Sequence, residues 1–378
     1  MRKTIARRDW LKQSSLAALG LGMSTYAMGG EDYLPKKFGS EKKLVNLGSN
    51  ENPYGVSAKT KQAIIDMVSE ANRYYVNVPS LDQFNKELAD YYKVAPNQII
   101  VTAGSGVALQ YLARHYSKGN IVTPDITFGI LPNIARLAGS EVIEVPLTYD
   151  KVHDLPAMLR AINHNTQLVY VCNPANPTST MVKPGALKSF CEEASKKATV
   201  VVDEAYIDFL DAPDNESMIA LIEKHPNIIV VRTFSKVYGL AGLRIGFVVG
   251  HPSVISNLED SYFSNTRFYV SNLSQAAAMA ALHDEAHKQA SKQKIVAARQ
   301  YTIDELTKLK FRVIPSFTNF IFFKLENYAG DFSADMLKKN ILLRSNSYND
   351  GKWARVSVGT MEEMQQFIAI MKTMFKES

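Results

Sequence analysis

The chain has 378 residues, of which 46% are hydrophobic and 21% are charged, and this composition is ordinary for a globular protein long enough to form two packed domains. Its formal net charge is +6, but residues 1–27 account for +4, so the rest of the chain is nearly neutral. Such a body gives no support for nucleic-acid binding, which depends on clustered Lys and Arg. No apolar run reaches the ~20 residues that a membrane span requires.

The first thirty residues have the pattern of an export signal. A basic head that contains Arg7-Arg8 is followed by an aromatic residue, a leucine and the charge-free residues 14–30. This order resembles a twin-arginine (Tat) export signal. We predict that residues 1–30 are a Tat-type signal, with a cleavage site at residues 25–27, and that the protein is periplasmic. The alternatives are an uncleaved anchor and an accidental Arg-Arg in an amphipathic helix, in which case the protein is cytoplasmic.

Short apolar runs and helical patterns alternate through the following two hundred residues. Residues 31–55 are polar and rich in Gly and Pro, which predicts a surface arm. Apolar spacing predicts helices over 57–70, 80–93, 107–117, 128–138, 155–163 and 185–197. Short apolar runs predict strands over 97–102, 120–123, 141–145, 167–171, 199–203 and 228–233. This alternation favours an α/β fold with a mainly parallel sheet and helices on both faces.

The pattern changes beyond residue 250. Residues 272–310 are long and helical, and they precede four predicted strands, 311–315, 320–324, 341–344 and 353–358, and two helices, 333–338 and 360–376. These elements predict a smaller α+β domain. We therefore expect an arm and part of the small domain in 31–70, a large domain in 71–265 and the small domain in 266–378. Cys172 and Cys191 match no metal or disulfide pattern, and their apolar contexts predict buried free thiols.

Five motifs occur in a fixed order along residues 45–375. They are Asn-Glu-Asn-Pro-Tyr-Gly at 50–55, Asn-Pro-Ala-Asn-Pro-Thr at 173–178, Asp-Glu-Ala-Tyr at 203–206, Ser-Lys with an arginine eight residues later at 235–244, and Arg-Val-Ser-Val-Gly-Thr at 355–360. Together they resemble fold-type I aminotransferases, and above all the histidinol-phosphate aminotransferase family. The resemblance implies a large domain with a seven-stranded sheet that binds pyridoxal phosphate (PLP), a smaller α+β domain, and a homodimer.

The resemblance implies that Lys236, Asp203 and Tyr206 are catalytic. Lys236 forms an imine with the cofactor aldehyde and later moves a proton. Asp203 ends a predicted strand, where α/β folds place their ligands, and its implied role is to keep the pyridine nitrogen protonated. A helix N-cap is the alternative role for Asp203. Asn176 and Tyr206 resemble the pair that hydrogen-bonds the phenolic oxygen of the cofactor.

The cofactor phosphate needs donors of hydrogen bonds. The turn Gly104-Ser105-Gly106 lies between a strand and a helix, where free N–H groups and the helix dipole attract anions. Ser235, Arg244 and Thr233 resemble further phosphate contacts, and Tyr74 resembles a tyrosine that reaches the phosphate of the neighbouring subunit. Phe128 resembles the aromatic residue that stacks on the PLP ring, and core packing is the alternative.

The substrate-side residues are also implied by the resemblance. Arg355 resembles the arginine that binds the substrate carboxylate, and Arg344 resembles a second substrate-side arginine. Asn52 and Tyr54 lie on the arm that resembles a lid over the substrate. The chain departs from the family pattern at Ser179, where a glycine is usual, and within residues 267–271.

These features predict an aminotransferase that moves an amino group between an L-amino acid, or an amino-alcohol phosphate such as histidinol phosphate, and a 2-oxo acid. We expect no metal and no partner besides these small molecules, a second copy of the chain and the Tat machinery. One alternative is a decarboxylase or another enzyme of PLP chemistry at the α-carbon on the same scaffold. The other is a PLP-binding envelope protein without turnover.

Overall fold

The computed structural model describes residues 44–73, 81–261, 269–326 and 328–375. The predicted signal in residues 1–30 and Tyr74 lie outside these residues, as do positions 267 and 268. The strands are β1 Val45–Asn46, β2 Ile99–Thr102, β3 Asn120–Pro124, β4 Glu141–Val145, β5 Thr166–Cys172, β6 Thr199–Asp203, β7 Ile228–Thr233, β8 Gly246–Val249, β9 Val313–Ile314, β10 Phe320–Lys324, β11 Ile341–Leu342, β12 Arg344–Tyr348 and β13 Gly351–Ser357.

Helices connect most of these strands. The α-helices are α1 Ala58–Met67, α2 Leu81–Tyr92, α3 Ser105–His115, α4 Ile130–Leu137, α5 Leu155–Ala161, α6 Pro184–Ala194, α7 Pro213–Glu216, α8 Pro252–Glu259, α9 Asn272–Leu282, α10 Glu285–Lys308, α11 Phe332–Leu337 and α12 Met361–Phe375. None of the helices in the described ranges is long and apolar enough to cross a membrane.

Seven strands form the main sheet, in the order β2-β8-β7-β6-β5-β3-β4. All neighbours are parallel except those of β8, which runs antiparallel to β2 and β7. The side chains of β6 alternate between two hydrophobic clusters, with Val200 and Val202 in one and Val201 in the other. Because successive residues of a strand face opposite sides, both faces of the sheet are buried. The predicted α/β fold with a mainly parallel sheet is therefore confirmed.

Two smaller sheets contain the C-terminal strands, and one of them also includes β1. The order β12-β13-β10-β9 forms an antiparallel sheet, and β1 pairs in parallel with β11. The pairing of Val45 with Ile341 attaches the arm to the C-terminal elements. The main sheet thus lies within the predicted large domain and the antiparallel sheet within the predicted small domain, while the boundaries themselves stay a prediction.

Some elements differ from those that the sequence predicts. The helical stretch 272–310 is two helices, because the side chain of Asp284 caps α10 by accepting a hydrogen bond from the backbone of His287. The predicted strand 341–344 is two short strands in different sheets. β8 was not predicted, because it follows the glycine-rich turn after Lys236 without an alternating pattern. Cys172 and Cys191 are buried free thiols, as predicted.

Candidate active site

A cavity of about 530 Å³ opens at the carboxyl ends of the central strands of the main sheet. Parallel strands end at one edge, so residues that follow different strands meet there. Among the predicted residues, the cavity is lined by Ser105, Gly106, Phe128, Asn176, Asp203, Tyr206, Thr233, Ser235, Lys236, Arg244, Arg344 and Arg355. Most of the predicted site is therefore brought together in one place.

Asp203 is the last residue of β6 and is only 2% exposed. The Tyr170 hydroxyl donates to its Oδ2 atom at 3.0 Å, and the backbone N–H of Ala205 donates to Oδ1 at 3.1 Å. Burial raises the pKa of Asp203 to about 6, against the lowering effect of these two donors and of Lys236. The carboxylate is thus partly satisfied, and a cationic partner in the cavity would bring its pKa back toward the ordinary value.

Lys236 lies in the turn between β7 and β8, and its side chain projects into the cavity. Desolvation and the nearby Arg355 guanidinium lower the pKa of Lys236 to about 8, whereas Asp203 has the opposite effect. The neutral form that a nucleophilic amine requires is therefore a minor species at pH 7, about a tenth of the lysine, but far more populated than in an ordinary lysine. Residues of the N-terminal arm hold this turn in place. Asn52 donates to the Val237 carbonyl at 2.8 Å, and Gly239, at φ +73°, packs directly against Gly55.

A hydrogen-bonded chain connects Tyr206 to Arg355. The Tyr206 hydroxyl accepts from the Asn176 amide at 3.2 Å, and the Asn176 carbonyl oxygen accepts from Arg355 at 2.8 Å. Burial raises the pKa of Tyr206 well above its ordinary value, so its hydroxyl keeps its proton at neutral pH. The chain joins the end of the main sheet to β13 of the antiparallel sheet across the cavity.

The opposite end of the cavity is suited to an anion. Helix α3 begins at Ser105, directly after β2 and Gly104, and its first N–H groups face the cavity with the positive end of the helix dipole. Gly104 has φ +90°, and a Cβ atom there would lie 2.6 Å from Nη2 of Arg244. The Thr233 and Ser235 hydroxyls are 2.9 Å apart beside them. These groups form a cradle that only glycine at position 104 permits.

Arg344 and Arg355 meet on one carbonyl. Nε of Arg344 donates to the Gly48 carbonyl oxygen at 2.8 Å, and Nη2 of Arg355 donates to the same oxygen at 2.7 Å. The Nε atom of Arg355 is buried and has no hydrogen-bond partner among the described residues. Burial lowers the pKa of Arg355 from its ordinary value, yet guanidinium groups stay charged. The pair therefore retains donor capacity for an anionic substrate group.

Of the predicted residues that the structure describes, Gly104, Asn52 and Tyr54 do not line the cavity, and some lining residues were not predicted. Gly104 lies directly against the Arg244 guanidinium of the cradle. Asn52 and Tyr54 hold the Lys236 turn and pack on the core, so their lid role stays a prediction. The structure adds Gly48, Ser49, Asn50, Glu51, Ile130, Cys172, Ala205, Ala241 and Gly242 to the lining. The quoted motif at 50–55 already contained Asn50 and Glu51.

Ser179 shows why the family pattern has glycine at this position. Its φ is +62°, in the left-handed region that costs a non-glycine residue roughly 1–2 kcal/mol. The Ser179 hydroxyl donates to the Thr178 carbonyl at 2.5 Å and lies 3.3 Å from the Pro315 carbonyl. These local contacts hold the turn in the conformation that glycine adopts more readily.

The sequence matches the family model of aminotransferase class I and II over residues 42–371. The chain belongs to this family. The histidinol-phosphate aminotransferase of Bacillus cytotoxicus is 35% identical over 340 residues, which cover 89% of this chain and 90% of the relative. That of Halalkalibacterium halodurans is 36% identical over 343 residues, with coverages of 88% and 90%. The solved histidinol-phosphate aminotransferase of Sinorhizobium meliloti with pyridoxal-5'-phosphate shares the fold at TM-score 0.82 and 24% identity, over 89% of this chain and 92% of that one.

The predicted activity and cofactor are thereby confirmed: the protein is a PLP-dependent aminotransferase. The residues of the cavity fit this cofactor. The cradle around Ser105 and Arg244 suits a phosphate, and Gly104 leaves room for the arginine beside it. Asp203 suits the pyridine nitrogen, since it is a buried carboxylate without a paired arginine. Lys236 supplies the amine in the same cavity.

Proposed function

We propose that the amino donor is histidinol phosphate or a related L-amino acid whose anionic group binds to Arg355 and Arg344, and that the acceptor is a 2-oxo acid. The carrying observation is the arginine pair on the Gly48 carbonyl, with one buried Nε atom still free of a partner among the described residues. Carboxylates and phosphates both match the planar donor fork of arginine. The names of the two curated relatives support histidinol phosphate.

The side chains that the sequence predicted for the cofactor site each have a proposed task toward the cofactor. Asp203 would pair with the pyridine nitrogen, and Phe128 would stack on the ring. Asn176 and Tyr206 would hydrogen-bond the phenolic oxygen, and the cradle of residues 104–106, Thr233, Ser235 and Arg244 would bind the phosphate. These roles are implied by the family resemblance, and the placement of most of these residues on one cavity wall and their donor and acceptor chemistry support them.

When bound, PLP supplies an aldehyde that takes up the donor's amino group and a ring that withdraws electrons from the donor's α-carbon. Lys236 removes the proton from that α-carbon, and its lowered pKa, about 8, makes the neutral amine more accessible than in an ordinary lysine. Arg355 and Arg344 orient the donor so that its α-proton faces Lys236. Asp203, which accepts only from Tyr170 and the Ala205 backbone among the described residues, would stabilise a proton on the ring nitrogen.

A half-reaction screen tests the proposal. Purified protein loaded with PLP is mixed with single amino donors, including histidinol phosphate, histidine and aromatic amino acids, while the cofactor absorbance is followed. We expect conversion to the pyridoxamine form with histidinol phosphate and a matching oxo product. In Lys236→Ala the conversion should be absent, and in Lys292→Ala, which removes a buried lysine outside the cavity, it should be retained.

The same screen distinguishes the alternative chemistry. Carbon dioxide released from an amino acid, with no oxo product, would assign a decarboxylase and overturn the transamination proposal. A cofactor band that responds to no donor would assign a non-catalytic PLP-binding protein. Double variants such as Arg344→Ala with Arg355→Ala should lose donor binding but retain the bound cofactor, because neither arginine belongs to the cofactor cradle.

We also propose that the enzyme is a homodimer in which Tyr74 of each chain completes the phosphate site of its partner, as the family resemblance implies. Sedimentation should give twice the mass of 42.1 kDa per chain, less any cleaved signal. Mixing inactive Lys236→Ala with inactive Tyr74→Ala chains should restore part of the activity, because mixed dimers then contain one intact site. A monomer, or a mixture that stays inactive, would refute shared sites.

We propose further that residues 1–30 direct Tat export. The support is the paired arginines ahead of the charge-free stretch. A reporter fused behind residues 1–40 should reach the periplasm, and Arg7→Lys with Arg8→Lys should abolish this transfer. A reporter that stays in the cytoplasm in both cases would assign a cytoplasmic enzyme.

A further inference from the structure

Asn50 is buried next to Tyr206, and nothing in the chemistry described so far uses it. It is only 2% exposed and lines the cavity. Its backbone has φ +54°, in the left-handed region that asparagine tolerates better than most residues. Its side-chain amide nitrogen lies 3.0 Å from the Tyr206 hydroxyl. A buried amide in this position acts on the tyrosine from the side of the arm.

The antiparallel sheet fixes the orientation of this amide. The backbone N–H of Asn50 donates to the Ser357 hydroxyl at 2.8 Å, and that hydroxyl lies 2.9 Å from Oδ1 of Asn50. Because the serine oxygen already accepts from the backbone, its own proton is available for Oδ1. The NH₂ group of Asn50 must then face Tyr206. The backbone carbonyl oxygen of Asn50 accepts a hydrogen bond from the Asn319 side-chain amide at 3.0 Å.

The second neighbour of the Tyr206 hydroxyl is also a donor. Asn176 turns its oxygen toward the Arg355 guanidinium, which only donates, so its NH₂ group faces Tyr206 at 3.2 Å. Two N–H groups thus point at one phenolic oxygen and occupy its lone pairs. The proton of the hydroxyl is left for an acceptor elsewhere, and the cavity that Tyr206 lines is where such an acceptor binds.

We propose that Asn50 is a positioning residue that directs the Tyr206 proton into the cavity and strengthens its donation to the phenolic oxygen of PLP. The inference rests on the proposed role of Tyr206 toward the cofactor. An accepted N–H bond polarises the hydroxyl and makes it a better donor, since hydrogen bonds in a chain reinforce each other. Ser357 on β13 holds Asn50, so this property of the cofactor site depends on the antiparallel sheet.

The consequence is measurable in the absorbance of the bound cofactor as a function of pH. Weaker donation by Tyr206 leaves more negative charge on the phenolic oxygen, which then stabilises the protonated nitrogen contributed by Lys236. Asn50→Ala should therefore raise the pH midpoint of the absorbance change by about half a unit, as expected for one hydrogen bond of ordinary strength. Asn120→Ala, which removes a buried asparagine at the start of β3, should leave the midpoint unchanged.

A double-variant cycle shows whether the effect passes through the tyrosine. In a Tyr206→Phe background, Asn50→Ala should shift the midpoint no further, because the hydroxyl on which it acts is gone. An equal shift with and without the hydroxyl, or no shift in Asn50→Ala, would overturn the proposal. If Asn50→Ala does not fold, Ser357→Ala should give a smaller upward shift, and its absence would overturn the proposal equally. Failure to bind PLP in all of these proteins would instead refute the proposed cofactor role of the cavity.

Discussion

Two neighbouring carboxylates at the end of β6 have opposite environments. Asp203 and Glu204 are adjacent in the chain, and each is only 2% exposed. Asp203 lines the cavity, whereas Glu204 lies against Arg232 of β7 on the other side. The alternation of side chains along a strand accounts for this separation. The comparison shows how the same chemical group is fully paired inside the protein at Glu204 and left facing a ligand cavity at Asp203.

Glu204 is fully paired. Its Oε2 atom accepts from Nε and Nη2 of Arg232 at 3.0 and 2.8 Å and from the Ser217 hydroxyl at 2.8 Å. Its Oε1 atom accepts from the backbone N–H of Met218 at 2.7 Å. Arg232 also stacks on Tyr92, 4.9 Å from the ring centroid. A buried charge with so many partners has no capacity left for a ligand, and it stabilises the sheet only as long as the pair stays intact.

Asp203 has two neutral donors and no arginine, so it depends on a cation that the cofactor ring would supply. We expect Asp203→Asn to lower the half-reaction rate by about 10²-fold or more, because the ring nitrogen then loses its ionic partner. The unfolding free energy of the apoprotein should stay within about 1 kcal/mol of wild type, since an incompletely paired buried charge is removed. Stopped-flow absorbance and urea unfolding measure the two quantities. If Asp203→Asn lost much stability and kept its rate, Asp203 would be the structural carboxylate, contrary to our assignment.

Arg232→Ala should have the opposite effect. It leaves Glu204 buried without its cation, which typically costs about 3–5 kcal/mol of unfolding free energy. The rate per folded, cofactor-loaded molecule should stay within about threefold of wild type, because Arg232 does not line the cavity. Urea unfolding and active-site titration check this. In Arg232→Met with Glu204→Leu, where both charges are removed, most of the lost stability should return.

The buried Lys236 and Asp203 should also make the stability of the apoprotein depend on pH. The folded pKa of Lys236 is about 8, below its ordinary 10.5, so between these values the unfolded chain binds more protons and stability rises with pH. The folded pKa of Asp203 is about 6, above its ordinary 3.8, so stability falls as pH rises from about 4 to 6.

Burial of Lys236 lowers the unfolding free energy by up to about 3 kcal/mol below pH 8, given 1.4 kcal/mol per pKa unit, and this loss disappears as the pH rises toward 10.5. We expect the stability difference between wild type and Lys236→Met to change in favour of wild type between pH 8 and 10. Urea unfolding of the two apoproteins at several pH values measures it. Parallel curves would show that the lysine is not desolvated in the folded protein.

The smallest expected effect is on PLP affinity, and it concerns Gly104 in the phosphate cradle. Gly104→Ala should weaken PLP binding by about tenfold, because the new Cβ atom displaces the Arg244 guanidinium and the backbone is strained at φ +90°. Gly139→Ala is the matched control, since Gly139 has the same φ but no atom within 4 Å of the added Cβ. It should lose a similar amount of stability and no cofactor affinity. Equal PLP dissociation constants for the two variants would exclude the proposed contact with Arg244.

The cofactor side of the site could be predicted from the sequence because its residues follow directly on strands. Asp203 ends β6, Ser105 begins the helix after β2, and Lys236 follows β7 by three residues. Once the sheet is parallel, these ends must meet at one edge. The break between α9 and α10 was harder to predict, because the apolar spacing continues on both sides and the end depends on the cap at Asp284.

The substrate side depends on contacts between residues far apart in the chain. Arg355 meets the carbonyl of Gly48 and Ser357 meets Asn50, each across 307 positions. Asn52 is a predicted lid residue whose amide donates to the Val237 carbonyl in the turn that carries Lys236, a contact that no local pattern announced. No local pattern encodes which arm residue will face the cavity and which will face the core.

The sequence alone thus determined the fold class and the family and predicted most of the residues that line the cavity, because apolar periodicity and short motifs are local properties of the chain. Only the tertiary structure decided which of two adjacent buried carboxylates is paired, and which asparagine of the arm donates to Tyr206. Both outcomes depend on the packing of distant segments, and burial there sets the charge and the direction of every hydrogen bond.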